Sequence, residues 1–436
     1  MLKLFTFAIA GSAASAAGAP FIPDRYLISA FVDPMVNSSL YPIEYARFAA
    51  ANFNTLLGGF GATTPALVAA QLDACAATGL ACIPTTCESP AGPGPEGSCV
   101  ALPGAPAAWG FNMRDEPAVA DFAALANWSA SIAARAPGAM RFINLLPNYA
   151  TPAQLGAPTY AAYIEQYIAA VAPNMLCFDH YPQFGEQPFD PAAAANTTQA
   201  GYLRNLADFR AASLASGLPF YNYFNIMPYN DLADISLSQV RWQAFASLAH
   251  GSSGVLYFCY WNPLPAQWHG AMVSAVAPWT PGGGDGAVVF QPTPHYAQAQ
   301  AVNAKLRVLG GALLLAASTG VASVRAPGSA AFAAVPPNPD VAALSGSGEG
   351  GADLAVLVGL FSRGDGSRGV LLVNHDTTAP RLITVNFTAG VSAVAEIDEA
   401  SPAPRAVLDD APELPGLQLR LLEGDARLLI FNAKGR

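Results

Sequence analysis

Eight short runs rich in β-branched and aromatic residues recur between residues 26 and 261, and helical stretches separate most of them. Regular alternation of strands and helices predicts a parallel sheet with helices packed outside it. Eight units with near-continuous hydrophobic strands favour a closed (β/α)8 TIM barrel. The predicted strands are Tyr26–Asp33, Asn54–Phe60, Ala81–Thr86, Trp109–Asp115, Arg141–Leu146, Met175–His180, Phe220–Ile226 and Gly254–Tyr260.

A doubly wound open sheet is the alternative α/β architecture for such a pattern. It is disfavoured because the segment after the first strand, FVDPMVNSS, lacks the GxGxxG phosphate loop. The predicted helices are Ile43–Ala51, Pro65–Thr78, Val119–Arg135, Tyr160–Val171, Thr198–Ser216 and Leu237–Ala249.

The character of the chain changes after Trp261. A helix is predicted over His295–Leu309, and from about residue 320 short strands and turns predict a C-terminal β-sandwich. The strands are Ala331–Val335, Leu354–Phe361, Gly369–Asn374, Leu382–Phe387, Val394–Ile397, Leu417–Leu421 and Ala426–Phe431, with Pro336–Gly351 as a flexible interruption. The predicted organisation is a signal peptide (1–19), a catalytic barrel (24–300), a connecting helix (301–317) and the sandwich (318–434).

The N-terminus has the pattern of a secretory signal. Lys3 precedes the apolar stretch Leu4–Ala10, and small residues continue to Ala19. The predicted location is therefore extracellular or within the endomembrane lumen. Two further patterns agree with export. The first is a Pro/Gly-rich loop between Cys87 and Cys99, which is a candidate for closure by a disulfide. N-glycosylation sequons occur at Asn37, Asn127, Asn196 and Asn386.

The composition of the chain limits the classes of partner that it can bind. The net charge of −10 and the absence of any Lys/Arg run argue against nucleic-acid binding. The mean hydropathy of +0.31 raises the question of a membrane span. Seventeen uncharged residues lie between Arg307 and Arg325, but glycines and a turn interrupt them. A buried helix followed by a strand is predicted there, with no membrane span.

Two predicted strands end in carboxylates. The run WGFNMRDEP stops at Asp115 and Glu116, and NMLCFDHYP carries Asp179 at the corresponding place. A proline follows each set of acids and cannot donate to a strand ladder. Barrel enzymes build their sites at the C-terminal ends of strands. Because these are the fourth and sixth strands, their acids are predicted to face each other across the mouth.

Two carboxyl groups across a scissile bond are the usual machinery of glycoside hydrolysis. The sequence therefore predicts catalysis by Glu116 and Asp179, with Asp115 as a third candidate. Acids are also common at helix starts, so Asp115 or Glu116 could instead cap the following helix. The predicted partner is a carbohydrate, because flat aromatic faces stack on sugars and amides bind hydroxyls. The candidate substrate-binding residues are Asp33, Asn144, Asn148, Tyr181, Tyr223, Asn225, Tyr260 and Trp261.

Other chemistries find less support in the sequence. There is no GxSxG elbow, no HExxH motif and no CxxC zinc pattern, and the five histidines lack metal-ligand spacing. No cofactor and no metal are therefore predicted. His180 alternates away from Asp179 along its strand and is interpreted as a packing residue, while Cys177 and Cys259 are predicted to be buried thiols.

The endings MRDEP, FDHYP and GSSGVLYFCYWNP resemble those of TIM-barrel glycoside hydrolases. The adjacent Asp-Glu resembles glycoside hydrolase families 20 and 123, which implies Glu116 as general acid and Asp115 as the residue that orients a 2-acetamido group, with Tyr181 holding the acetamide. The strand-eight ending resembles family 42-like barrels, in which a nucleophilic Glu follows strand seven; here FYNYFNIMPYND contains none.

A third layout, similar to α-galactosidase-like barrels, exchanges the roles of Glu116 and Asp179. Two function classes therefore stay open. The first is a secreted glycoside hydrolase that cleaves O-glycosidic bonds of an oligo- or polysaccharide, with Glu116 as proton donor and Asp179 as second carboxylate. The second is a non-catalytic carbohydrate-binding or cell-surface protein on an inactive barrel, since a fold alone does not imply an activity.

Overall fold

The structure is a computed structural model of the 436-residue chain. It describes residues 20–34, 38–59, 62, 64–85, 108–182, 199–228, 234–262, 270–275, 290–326, 340–348, 354–399 and 401–433. Several sequence predictions lie outside these residues: the signal peptide, the Cys87–Cys99 loop, the sequons at Asn37 and Asn196, and the strand Ala331–Val335.

Each of the eight predicted barrel strands coincides with one observed strand, although β5 begins one residue before its predicted start, and every one of them pairs in parallel. The strands are β1 (Leu27–Phe31), β2 (Thr55–Leu57), β3 (Ala81–Ile83), β4 (Gly110–Asp115), β5 (Met140–Asn144), β6 (Leu176–Asp179), β7 (Phe220–Asn225) and β8 (Gly254–Phe258). Tertiary pairing trims the predicted runs because their outer residues belong to the connecting loops.

The strands pair in three ladders, in the orders β1-β8-β7-β6, β2-β3 and β4-β5. Isolated parallel bridges join the β3 and β4 segments and the β5 and β6 segments: Cys82 with Ala108, Thr85 with Asn112, and Leu145 with Phe178. Between the β1 and β2 segments, the Asn54 N–H donates to the Ile28 carbonyl at 3.1 Å. Strand neighbours therefore follow chain order.

Several helices begin or end at recognisable capping residues. Helix α2 starts after Thr64, whose hydroxyl accepts from the Leu67 N–H at 3.3 Å, and it ends at Gly79 with φ of 72°. The α-helices are α1 (Tyr41–Ala50), α2 (Pro65–Thr78), α3 (Phe122–Arg135), α4 (Pro152–Leu155), α5 (Tyr160–Val171), α6 (Gln199–Ser216), α7 (Leu237–Ala249) and α8 (Pro294–Leu313).

Alternate residues of the parallel strands face two different cores. Leu27, Cys177 and Leu256 belong to an inner cluster, whereas Ile28 and Val255 pack with the helices in an outer one. This is the alternation expected of strands covered on one face by helices and packed against each other on the other face. The side chains of Cys177 and Cys259 are buried free thiols, as predicted.

The C-terminal part of the chain consists of antiparallel sheets. A six-stranded sheet has the order β11-β13-β14-β19-β16-β17, and a three-stranded sheet has the order β12-β15-β18. Buried residues of both sheets, including Val356, Leu372, Ile383, Leu419 and Leu429, form one shared core. The strands are β11 (Ala317–Ala326), β12 (Val341–Gly348), β13 (Leu354–Ser362), β14 (Arg368–Asn374), β15 (Arg381–Phe387), β16 (Val391–Ile397), β17 (Arg405–Ala406), β18 (Leu417–Leu421) and β19 (Ala426–Ala433).

The segment predicted as a flexible interruption, Pro336–Gly351, contains β12, so that prediction is wrong. Ser and Gly have weak strand preference, but β12 forms an antiparallel ladder with β15 that supplies the missing stabilisation. The predicted helix followed by a strand over Arg307–Arg325 is observed as the end of α8 and most of β11. In the described residues, no helix has the length and apolar character that crossing a membrane requires.

Helix α7 joins the two parts. It packs on β7 and β8 on one side and on β13 and β14 on the other, and most of its residues are buried. The approach is close, because a Cβ on Gly359 of β13 would lie 2.5 Å from the Ala249 carbonyl oxygen. The remaining described strands, β9 (Val273–Ala275) and β10 (Phe290–Pro292), form a small antiparallel pair.

Candidate active site

The ends of β4, β5 and β6 bring three acids and one amide together. Asp115 pairs with Asn144 in the register of β4 and β5, and the Asn144 side-chain amide donates to Asp115 Oδ1 at 2.9 Å. Asp179 ends the next strand, and its carboxyl group shares a hydrogen bond with the carboxyl group of Glu116. The predicted cluster of Asp115, Glu116 and Asp179 is therefore assembled in the structure.

Glu116 adopts a backbone conformation that is uncommon for a residue with a side chain. Its φ is 44°, in the left-handed region, and its N–H donates to the Asn144 carbonyl at 2.9 Å. Such a conformation costs of order 1–3 kcal/mol and is found where the surrounding structure imposes it, most often at functional sites. This turn therefore lies at the residue whose carboxyl group interacts with that of Asp179.

The three carboxyl groups are held where ionisation is unfavourable. Burial, followed by the charges of Glu116 and Asp115, raises the pKa of Asp179 well above its ordinary range. The side chains of Asp115 and Glu116 reach solvent, yet the surrounding protein removes part of their hydration. This partial desolvation raises the pKa of both groups, and the Asp115 charge adds to the effect on Glu116.

No arginine neutralises this cluster among the described residues. Arg114, on β4, lies 4.0 Å from Asp121, and Arg141 donates to Ser129 Oγ at 2.8 Å. The charge of Arg114 only moderates the rise in the pKa of Asp115. A hydrogen bond between two carboxyl groups requires that one of them carry a proton. Glu116 and Asp179 can therefore supply one acid and one carboxylate at the same place.

Two tyrosines lie near the carboxyl groups, and two phenylalanines pack against these tyrosines. Tyr181 and Tyr223 were predicted here, and the charges of Asp115 and Asp179 join burial in raising the pKa of both phenols. Phe31 and Phe258 complete the group: their rings lie 5.9 Å apart, and Tyr181 lies 5.3 Å from Phe258. The sequence analysis did not identify these two phenylalanines, although Phe31 is the last residue of β1 and Phe258 is the last residue of β8.

The predicted amide residues differ in their surroundings. Asn225 ends β7 beside Phe258 and is 1% exposed, and neither of its side-chain polar atoms has a hydrogen-bond partner among the described residues. Such an atom costs free energy unless a ligand or water contacts it. Asn148 instead donates to the Gly201 carbonyl at 3.0 Å and thereby ties its loop to α6.

Asp33 is held in an internal network. Its two carboxylate oxygens accept from the Gly59 N–H at 3.1 Å and from Gln71 Nε2 at 2.9 Å. Gln71 also donates to the Tyr45 hydroxyl at 2.9 Å. Asp33 is 1% exposed, so the hydroxyl-binding role predicted from its position at the end of β1 does not fit its surroundings.

Tyr260 and Trp261 lie in the core, which corrects the prediction that they form an exposed sugar platform. Tyr260 is fully buried against Phe48, with ring centroids 4.8 Å apart, and it also packs on Phe53. Trp261 is 2% exposed and belongs to the same cluster. Both residues follow the end of β8, where the chain has already turned towards the outer helices.

His180 is fully buried, in agreement with the packing role predicted for it. Its Nδ1 lies 3.0 Å from Asn205 Oδ1, and burial lowers the pKa of the imidazole to about 4. The ring stands edge-on to Tyr149 and Tyr202. Across the described part of the chain, no group of three or more His, Cys, Asp or Glu side chains is arranged to hold a metal ion.

No protein-family model and no curated protein sequence matches this chain. Among solved structures, a Bacteroides fragilis protein assigned as an α-galactosidase is similar over 96% of this chain and 80% of its own, with 10% identity and a TM-score of 0.48. A Thermotoga petrophila GH51 α-L-arabinofuranosidase is similar over 95% and 98%, with 8% identity and a TM-score of 0.46.

A glycoside hydrolase of family 5 from Bacteroides vulgatus is similar over 97% of this chain and 93% of its own, with 10% identity and a TM-score of 0.44. Glycoside hydrolases are thus among the solved structures that resemble the chain. Identities of 8–10% with TM-scores below 0.5 establish neither a family nor a substrate for it.

Proposed function

We propose that the protein is a secreted glycoside hydrolase that cleaves O-glycosidic bonds of an oligo- or polysaccharide. The observation that carries the proposal is the hydrogen-bonded pair of carboxyl groups, Glu116 and Asp179, with no arginine paired to either among the described residues. One protonated and one ionised carboxyl group at the same site is what protonation of a leaving oxygen and stabilisation of an anomeric cation require.

Glu116 is the proton donor in this proposal, because its side chain reaches solvent while Asp179 is 6% exposed. A general acid works best when its pKa is raised towards the working pH. Partial desolvation and the neighbouring Asp115 charge raise the pKa of Glu116, and they outweigh the hydrogen bond with Asp179, which lowers it. Asp115, which Asn144 holds at 2.9 Å, would orient a substrate group beside the acid.

Asp179 would act as the second carboxylate, either as a nucleophile or by stabilising a substrate-assisted intermediate. Retaining enzymes separate their carboxyl groups by about 5–5.5 Å and inverting enzymes by about 6.5–9.5 Å. Carboxyl groups in direct hydrogen bond are closer than either range. A bound sugar would therefore have to part Glu116 from Asp179 before a nucleophilic step, whereas a substrate-assisted step leaves Asp179 where it is.

The finer parts of the proposal rest on the chain itself. A closed barrel is supported by strand contacts that follow chain order from β1 to β8 and return by the β8–β1 ladder. Secretion is supported by the N-terminal pattern of Lys3 and Leu4–Ala10. Tyr181, Tyr223 and Asn225 are the proposed substrate contacts, because they lie with Phe31 and Phe258 around the carboxyl groups or beside them.

A non-catalytic carbohydrate-binding protein is the second candidate. It is favoured by Asn225 at the end of β7, where the family 42-like barrels that the strand-eight ending resembles carry a nucleophilic Glu. The same aromatic group and buried amide would bind a sugar without cleaving it.

The test is turnover of purified protein on a panel of aryl glycosides with and without a 2-acetamido group. Cleavage confined to acetamido sugars selects the substrate-assisted mechanism, and cleavage of galactosides or glucosides selects two-carboxylate catalysis. Sugar binding by calorimetry without turnover of any glycoside or polysaccharide would contradict the enzyme and select the binding protein.

A further inference from the structure

Helix α5 places a buried phenol beside the segments that follow β4 and β5. Tyr163 and Tyr167 lie one turn apart on the buried face of this helix. The Tyr163 hydroxyl donates to the Pro117 carbonyl at 2.6 Å and accepts from the Leu146 N–H at 3.4 Å. One side chain of the surrounding helices therefore bridges the segments that follow two neighbouring strands.

The donor and acceptor roles in this bridge have only one arrangement. A carbonyl can only accept and a backbone N–H can only donate, so the hydroxyl proton lies towards Pro117 and a lone pair faces Leu146. Burial raises the pKa of the Tyr163 phenol, so the hydroxyl keeps the proton that it donates. Because Tyr163 is fully buried and bound to two backbone groups, it does not touch a substrate.

The bridge lies next to a backbone turn that local preferences oppose. The φ of 44° at Glu116 is uncommon for a residue with a side chain, and a following proline favours an extended conformation instead. Hydrogen bonds hold the turn on both sides. The Glu116 N–H donates to the Asn144 carbonyl at 2.9 Å, and Tyr163 binds the carbonyl of the next residue, Pro117. Such a conformation persists only where the surrounding contacts impose it.

We infer that Tyr163 is a positioning residue that holds the turn at Glu116 and thereby determines where the Glu116 carboxyl group lies. The Pro117 carbonyl is one residue from Glu116, so releasing it frees the backbone that carries this side chain. The inference rests on the proposed function only in its kinetic consequence, because a misplaced catalytic group reacts slowly. A merely structural role would weaken the whole fold without a particular effect on the turn.

The chain offers a matched pair of variants for the test. Tyr163→Phe removes the hydroxyl and keeps the ring, and Tyr167→Phe does the same one helical turn away. Both tyrosines are fully buried, and both rings lie 5.6 Å from the ring of Phe122. The Tyr167 hydroxyl, however, has no hydrogen-bond partner among the described residues. The two variants therefore differ in the hydrogen bonds that they lose.

Amide hydrogen exchange, followed by NMR of 15N-labelled protein, tests the turn without any substrate. The Glu116 amide should exchange about 3- to 10-fold faster in Tyr163→Phe, as expected for the loss of one hydrogen bond, while the amides of β7 keep their wild-type rates. Tyr167→Phe should leave all of these rates unchanged. An unchanged Glu116 amide in folded Tyr163→Phe, or an equal acceleration at Glu116 and β7, would overturn the inference.

Kinetics test whether Tyr163 acts through Glu116. On a natural glycoside that the protein cleaves, kcat of Tyr163→Phe should fall about 10- to 100-fold with KM unchanged. In the Glu116→Gln background the same substitution should change kcat by less than about 2-fold, since the group that it positions is already gone. Equal losses in the two backgrounds would contradict the positioning role. If Glu116→Gln left turnover intact, the proposed function would fail, and the exchange rates would still decide whether Tyr163 holds the turn.

Discussion

The acidic side chains of the parallel-strand part and those of the C-terminal sheets have different partners. In the C-terminal sheets, the buried Glu396 accepts from Arg427 at 2.7 and 2.9 Å, and Asp340 is paired to Arg368 at 2.6 Å. At the ends of β4 and β6, Asp115, Glu116 and Asp179 have each other and an asparagine instead.

This difference separates structural acids from candidate functional ones. A carboxylate paired to arginine gains from being ionised, so its charge serves the fold. Ionising three acids that lie together without a cation is unfavourable, and such clusters occur mainly at functional sites. Four predictions test whether the two groups of acids differ as this comparison implies.

The largest expected effect is on activity in Glu116→Gln. We expect hydrolysis of natural glycosides to fall by about 10²–10⁴-fold, because the proton donor is removed. Aryl glycosides with good leaving groups should lose less, since their departure needs little protonation. The control is Glu165→Gln on the exposed face of α5. Unchanged turnover of natural substrates by folded Glu116→Gln would remove the general-acid assignment.

The next largest effect is on stability, in the C-terminal sheets. Arg427→Met leaves Glu396 buried without its main partner, and we expect the free energy of unfolding to fall by about 3 kcal/mol. Urea denaturation monitored by circular dichroism measures it. Arg405→Met is the matched control, because Arg405 lies 3.6 Å from the same Glu396 but is 54% exposed, and it should cost less than about 1 kcal/mol. Equal costs for the two variants would contradict the structural role of the Arg427 pair.

The pH dependence of stability should have opposite signs in the two regions. Folding raises the pKa of Asp179. The contribution of Asp179 to the stability of the fold is therefore fully present below about pH 4, and it is lost as the pH rises through the folded pKa. Asp179→Asn should therefore gain stability over the wild type with rising pH, by about 1.4 kcal/mol for each unit of pKa shift removed.

Asp376 provides the opposite case. Burial alone would raise its pKa, but hydrogen bonds from Thr378 and the charge of Arg381 outweigh burial and lower it. The contribution of Asp376 to the stability of the fold is present above about pH 4 and is lost as the pH falls through the folded pKa. Asp376→Asn should be destabilised at pH 7 and approach the wild type in acid. Unfolding midpoints between pH 3 and 8 measure both variants, and parallel profiles would remove the distinction between the regions.

The smallest effect tests the contact between the regions. The indole N–H of Trp242 on α7 donates to His375 Nδ1 at 2.7 Å, and the rings stack at 5.3 Å. Trp242→Phe keeps an aromatic ring there but loses the bond, and should cost about 1 kcal/mol or slightly more. In the control Trp128→Phe, the lost N–H has no hydrogen-bond partner among the described residues, so the hydrogen-bond cost is absent. Thermal unfolding compares them, and an equal loss would assign the effect to ring volume.

Much of the backbone plan could be predicted from the sequence. Helices Pro65–Thr78, Tyr160–Val171 and Leu237–Ala249 begin and end where they were predicted, because caps and apolar periodicity are local properties. The prediction failed at β12, where Ser and Gly residues form a strand only because β15 lies beside them.

The candidate site was predictable in part for the same reason. Strands that end in acid residues are visible in the sequence, and the meeting of Glu116 with Asp179 follows from parallel strands whose carboxyl ends lie at one edge of the sheet. The sequence could not place Tyr260 and Trp261 in the core, since that depends on the direction of the chain after β8. It also could not distinguish Asp33, whose oxygens are taken by Gly59 and Gln71, from acids open to a ligand.

What the sequence determined by itself is the order of strands and helices and the residue types at the strand ends, because these depend on local pattern. What only the tertiary structure decided is which of those residues are neighbours. The left-handed turn at Glu116, the hydrogen bond from Asn144 to Asp115 and the packing of Phe31 on Phe258 bring together residues from different strands. Such contacts carry no local signal, because their free energy comes from packing that exists only once the strands have paired.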